Sequence, residues 1–146
     1  MPEPSQHLCG RQVLPSVLVV EDEPRVRASA VEFFEDLGAT VYDAYHAAQA
    51  LAILADHPDI SLLFTDIRLP TVDGVELASM AVMRRPDLRV ILTSGYGHRL
   101  AHPSWSFMPK PWSLSALREA VVAALATRPR SATAPSASRN PPAQGV

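Results

Sequence analysis

"SLLFTDIRLPTVDG", residues 61–74, stops an apolar run at a single aspartate, Asp66, and follows it with Pro70 and Gly74. A short run rich in Leu and Phe, bounded by turn residues, reads as a buried strand. Two explanations of Asp66 then compete. A strand often ends at a solvated acid before a turn, with no further meaning. Alternatively, the strand's end presents a carboxylate on which chemistry is done. The segments on either side decide between them.

Two further runs have the same character. "SVLVV" (16–20) and "RVILT" (89–93), with "SLLFT" (61–65), are almost wholly apolar, as strands are when both faces of a parallel sheet are covered. "TVYDAY" (40–45) and "SWSFMP" (104–109) are weaker, and Pro109, without an amide hydrogen, suits an edge strand. Between the strands, apolar residues recur with a helical period. Val26, Ala30, Phe33, Phe34 and Leu37 form one face closed by Gly38, and Ala47, Ala50, Leu51 and Leu54 form a second ended by Pro58. Asp73 with Glu76 resembles a capping box, ahead of an inward face of Val75, Ala78, Ser79 and Val82. Ser113 is placed to cap a last helix whose Leu114, Leu117, Val121 and Leu125 face inward. The alternation predicts an α/β fold, a three-layer doubly wound sheet of five parallel strands with right-handed crossovers.

In such folds ligands bind beyond the C-terminal strand ends, where the strand order reverses. For the flavodoxin-like order 2-1-3-4-5 that crevice lies between the first and third strands. Glu21 and Asp22 end the first strand and Asp66 ends the third. Three like charges converging there would raise one another's pKa values unless a cation joins them. An all-oxygen donor set suits Mg²⁺. For Glu23, decoration of a helix N-terminus is the better reading. Ser94 ends the fourth strand, and Lys110 ends the fifth as the one lysine among thirteen Lys and Arg residues. Carboxylates with a metal, a hydroxyl and an ammonium form a set that can bind and transfer a phosphoryl group.

At this point the chain, over about residues 16–127, closely resembles the receiver domain of two-component response regulators. "VLVVEDEPRVR" matches the family's first strand and acidic pair, "DIRLPTVDG" the phosphoacceptor segment, "ILTSGY" the fourth strand, and "FMPKPW" the fifth. The resemblance implies Asp66 as phosphoacceptor and Glu21, Asp22, Asp66 and the backbone carbonyl of Arg68 as Mg²⁺ ligands. It also implies Ser94 and Phe107 as the switch pair, Lys110 as the group that holds the phosphoryl, and a cis Lys110–Pro111 bond. The implied partner is a histidine kinase or a histidine phosphotransfer protein, with an unknown protein downstream. The family usually carries a longer fourth helix than the twelve residues "GYGHRLAHPSWS" (95–106) allow, so a shortened fourth helix is expected. Ser-Gly-Tyr with a weak fourth helix is similar to single-domain receivers of the Ser/Thr-Gly-Tyr type. Oligomeric state stays open, since the fourth helix often belongs to a homodimer face in the family.

Composition narrows the remaining classes. A formal net charge of −2 gives no reason to expect nucleic acid or an anionic membrane as partner, and no apolar stretch approaches the ~20 residues of a membrane span. Lone Cys9 cannot form an internal disulfide, and the start has no secretory pattern, so a cytoplasmic location is expected. Residues 1–14 read as a flexible leader, 15–127 as the domain, and 128–146 as a disordered Pro/Ser/Ala-rich tail without an output domain. The reading is thus a phosphoacceptor signalling module, not an enzyme. A phosphatase-like hydrolase using Asp66 is disfavoured because Arg68 stands where such enzymes need a second acid. A pseudo-receiver is disfavoured by the complete set of groups. Arg84, Arg85 and Arg89 read as a solvated helix end, His98 and His102 as loop histidines, and Trp105 and Trp112 as packing near the edge strand.

Overall fold

The central strands carry apolar residues toward both faces because helices cover both sides of the sheet. The computed structural model describes residues 15–95 and 105–126. Five strands, β1 (Ser16–Val20), β2 (Thr40–Ala44), β3 (Ile60–Asp66), β4 (Arg89–Ser94) and β5 (Ser106–Pro109), form one parallel sheet in the order β2-β1-β3-β4-β5. Alternate residues enter opposite layers, as the two-residue period of a strand requires. Val17, Val19, Leu62, Phe64 and Ile91 pack on one side, and Leu18, Val20, Leu63, Val90 and Leu92 on the other.

Four helices among the described residues cover these faces: α1 (Pro24–Asp36), α2 (Ala47–Asp56), α3 (Gly74–Arg84) and α4 (Leu114–Ala126). Ala30 and Phe34 of α1 and Leu117, Val121 and Ala124 of α4 fill the first layer, while α2 and α3 fill the second. Gly38 ends α1 with φ +94°, its amide donating to Glu35 O (2.9 Å) and that of Ala39 to Phe34 O (3.1 Å). This is the left-handed closure that a glycine permits. Asp73 and Ser113 act as caps, accepting from the amides of Glu76 (2.9 Å) and Ala116 (3.1 Å).

Three readings of the sequence are corrected. In α3, Ser79 is exposed and Leu77 is fully buried, so the inward face runs through Gly74, Leu77, Ala78 and Ala81. Leu114, at the start of α4, is exposed, and the buried face of that helix runs through Leu117, Val121 and Ala124. Arg85 and Arg89 are also not solvated ends. Arg85 donates to the carbonyls of Leu54 (3.1 Å), Pro58 (3.1 Å) and Ile60, and Arg89 Nε to Ala124 O (3.0 Å). Each guanidinium thereby reaches a carbonyl in the last turn of a helix, Leu54 O for Arg85 and Ala124 O for Arg89. The expected leader, tail and shortened fourth helix, with Cys9, His98 and His102, lie outside the described residues. No described helix is long and apolar enough to cross a membrane.

Candidate functional site: an acidic cleft at the strand ends

The cleft opens where β1 and β3, neighbours in the sheet, send their following helices to opposite faces. Glu21 follows Val20 directly, and its amide still donates to Ala44 O at 3.0 Å, so its backbone is fixed by the sheet. Asp66 is the last residue of β3. Glu21, Asp22 and Asp66 each bring an oxygen within 4.8 Å of the others; Glu21 and Asp66 are buried, and Asp22 stands at the solvent edge. Glu23, Val26, Arg68, Leu69, Pro70, Gly95 and Lys110 complete the walls.

Lys110 reaches this cluster from the end of β5. Its Nζ donates to Glu21 Oε1 at 2.8 Å and to Asp66 Oδ2 at 3.1 Å. The second oxygen of each acid takes a backbone amide, from Glu23 to Glu21 Oε2 (3.1 Å) and from Arg68 to Asp66 Oδ1 (3.3 Å). All four oxygens of the two buried carboxylates are therefore hydrogen-bonded, which is what makes their burial tolerable. Burial pushes the Glu21 carboxyl above its ordinary range, and the Lys110 and Glu23 hydrogen bonds only partly counter it. Burial pushes the Lys110 ammonium down, but Glu21 and Asp66 outweigh it and hold it above its ordinary value.

The loop after Asp66 is shaped by close backbone approach. Gly74 N donates to Ile67 O at 2.8 Å, and a Cβ at Gly74 would lie 2.0 Å from the Asp66 carbonyl oxygen. Only glycine lets α3 start so near the end of β3. Within the loop, Thr71 has φ 70° and Val72 N donates to Pro70 O at 2.8 Å, a tight γ-type turn.

The other residues singled out in the sequence fall around this centre. Ser94 is buried at the end of β4, and its carbonyl accepts from Lys110 N at 3.0 Å. Phe107, opposite Leu92 in the ladder, packs half-buried on the α2–α3 layer, as does Trp105. Arg68 is exposed on the rim, and the Lys110–Pro111 bond is cis. Two contributors go beyond the sequence reading, which has Trp112 as packing alone and does not single out Arg27. Trp112 donates from Nε1 to Thr93 Oγ1 at 2.9 Å and meets Phe33 and Phe64 edge-on. Arg27 donates to the Glu21 carbonyl at 2.9 Å. A cation one turn into a helix that follows an acidic strand end was the available signal.

The chemistry of the donor set fits a hard divalent cation: three carboxylates at a solvent-open edge, which would leave places for water. The ammonium beside them suits the oxygens of a phosphoryl group.

Comparison with known proteins points to one family. The family model described as response regulator receiver domain matches residues 17–122. The sensor kinase CckA of Brucella abortus is 32% identical over 113 residues, 73% of this chain but 12% of that relative's length. The response regulator receiver protein CpdR of the same organism is 34% identical over 87 residues, 60% of this chain and 72% of the relative. Among solved structures, the response regulator TrrA of Thermotoga maritima in complex with Mg²⁺ and BeF is 27% identical with a TM-score of 0.68, covering 75% of this chain and 98% of that one.

Proposed function

Because the chain belongs to the response regulator receiver domain family of two-component systems, we propose that it takes a phosphoryl group onto Asp66 from a phosphohistidine donor. The observation that carries this reading is the Lys110 ammonium bridging Glu21 and Asp66, with an oxygen of Asp22 within reach of both acids. In the transfer, an Asp66 carboxylate oxygen attacks phosphorus in line. An O–P bond forms as the donor's N–P bond breaks, and the departing imidazole nitrogen keeps the electron pair and is protonated from solvent. Lys110 then exchanges its contact with Asp66 Oδ2 for a phosphoryl oxygen, keeping its charge beside the transferred group. Glu21, Asp22, Asp66 and the carbonyl of Arg68 would hold Mg²⁺, which when bound neutralises phosphoryl charge. That TrrA binds Mg²⁺ with BeF supports this assignment.

The donor is a histidine kinase or a phosphotransfer protein, and the chain is a phosphoacceptor rather than a turnover catalyst. Ser94 and Phe107 form the output pair: the Ser94 hydroxyl turns toward the phosphoryl oxygens, and Phe107 fills the space released behind it. Incubation with acetyl phosphate and Mg²⁺, followed by intact mass, tests the reading. One labile phosphate per chain, absent in Asp66→Asn, is expected. Steady hydrolysis without an adduct would make the protein a hydrolase, and neither adduct nor hydrolysis would make it a binding module only.

A further inference from the structure

The acidic turn that carries Glu21 and Asp22 is held from outside the cleft. Arg27, one turn into α1, has a largely buried side chain, and its guanidinium makes three contacts. Nη1 donates to the Glu21 carbonyl at 2.9 Å, Nε donates to Asp43 Oδ2 at 3.2 Å, and the guanidinium carbon lies 5.4 Å from the centre of the Tyr45 ring. Asp43 and Tyr45 flank Ala44, whose carbonyl accepts the Glu21 amide. Residue 21 is therefore gripped on both sides, its amide by the end of β2 and its carbonyl by α1.

The gripped carbonyl belongs to the peptide that joins Glu21 to Asp22. A peptide is planar and turns as one unit, so fixing its oxygen fixes the direction in which Asp22 leaves the strand. We propose that Arg27 is a positioning residue for the divalent-cation site, aiming the Glu21 and Asp22 carboxylates at the place where Asp66 meets them. The inference rests on the reading of the cleft as a metal site. It deepens that reading by adding a group that touches neither metal nor substrate.

A guanidinium near a cation site acts in two opposed ways. Its charge repels the metal, whereas its hydrogen bonds preorganise the ligands. Asp43 lies against Nε and offsets the charge, and the Tyr45 ring face covers the group, so the preorganising effect governs. A lysine keeps the charge but has no rigid fork to join the Glu21 carbonyl to Asp43. Losing an outer partner of a metal ligand typically weakens the metal by about 10–100-fold.

Mg²⁺ titration of the full chain, followed by tryptophan fluorescence, separates these effects. Trp112 reports on the cleft because its ring centre lies 6.0 Å from Lys110 Nζ. Arg27→Lys is expected to weaken Mg²⁺ about tenfold. Arg27→Gln should weaken it as well, despite removing a positive charge. Asp43→Asn, at a half-exposed position that leaves the core intact, should show a smaller loss in the same direction. Circular dichroism melts establish that each variant is folded at the titration temperature, so a purely structural role would lower melting without moving the metal affinity. Wild-type affinity in Arg27→Lys and Asp43→Asn, or tighter binding in Arg27→Gln, overturns the inference alone. A wild-type chain that binds no Mg²⁺ overturns the metal reading and this inference with it.

Discussion

Replacing Lys110 by methionine removes the ammonium seated between Glu21 and Asp66 and keeps a side chain of similar length. The two contacts, at 2.8 and 3.1 Å, are made by side chains that are 19%, 4% and 8% exposed for Lys110, Glu21 and Asp66. At an effective dielectric of 20, charges at such distances attract by about 5 kcal/mol per contact, most of which desolvation takes back. What remains on truncation is the cost of leaving two buried carboxylates facing each other. Breaking a buried pair costs ~3–5 kcal/mol in a closed interior, and the open side of this cleft brings the expected figure to about 2–3 kcal/mol. For a body of roughly 100 residues, that lowers the melting temperature by about 10–20 °C in chelator. Mg²⁺ reverses the comparison. The ammonium and the metal compete for the same oxygens, so Lys110→Met should bind Mg²⁺ more tightly, by about tenfold or 1.4 kcal/mol, and regain part of its stability. Calorimetric melts in chelator and in Mg²⁺ measure both quantities. A variant that melts like wild type in chelator, or whose Mg²⁺ affinity is unchanged, would refute the argument that Lys110 is the resident counter-ion of the cleft.

Three other perturbations probe separate parts of the account. Gly74→Ala drives a methyl group to 2.0 Å from the Asp66 carbonyl, so the start of α3 must retreat, at a cost of about 1–3 kcal/mol; a melt within error of wild type would contradict this. Trp112→Phe keeps an aromatic ring against Phe33 and Phe64 but leaves the buried Thr93 hydroxyl without its indole donor, and denaturant titration should show a loss of about 1–2 kcal/mol. The Asp59 carboxyl is held below its ordinary range, first by the Ser16 hydroxyl and then by Tyr42. Its contribution to stability is thus present above the ordinary Asp range and lost as pH falls through its lowered pKa. Asp59→Asn should flatten the acid limb of the stability profile, and an unchanged limb would remove Asp59 from it.

What could be read in the sequence was whatever depends on period and position. Val17 to Val20 and Leu62 to Phe64 are apolar without alternation, and that pattern by itself means two covered faces. Once the strands are placed, the residues at or just beyond their ends are candidates together, and the structure brings Glu21, Asp22, Asp66 and Lys110 into one cleft. The inward face of α3 is Gly74, Leu77, Ala78 and Ala81, an i, i+3, i+4, i+7 stripe that the sequence carries; reading the stripe from Val75 instead puts Ser79 inside and leaves out Leu77. The arginines were misjudged for another reason. A guanidinium on a long stem reaches carbonyls far away in sequence, as Arg85 does to Leu54 and Arg27 to the acidic turn, and no local pattern records that reach. Trp112 was legible as packing, but its bond to Thr93 depends on β4 and the turn after β5 meeting in space.

The central claim is that Asp66 carries the phosphoryl group, and reductive trapping tests it most directly. Borohydride cleaves an acyl phosphate and leaves the former carboxylate as an alcohol, a permanent mark that peptide mass mapping locates. After acetyl phosphate and Mg²⁺, the account predicts homoserine at position 66 alone, dependent on the metal and absent without the phosphodonor. Reduction at another acid such as Glu21 or Asp22, or a labelled chain with Asp66 intact, would contradict it.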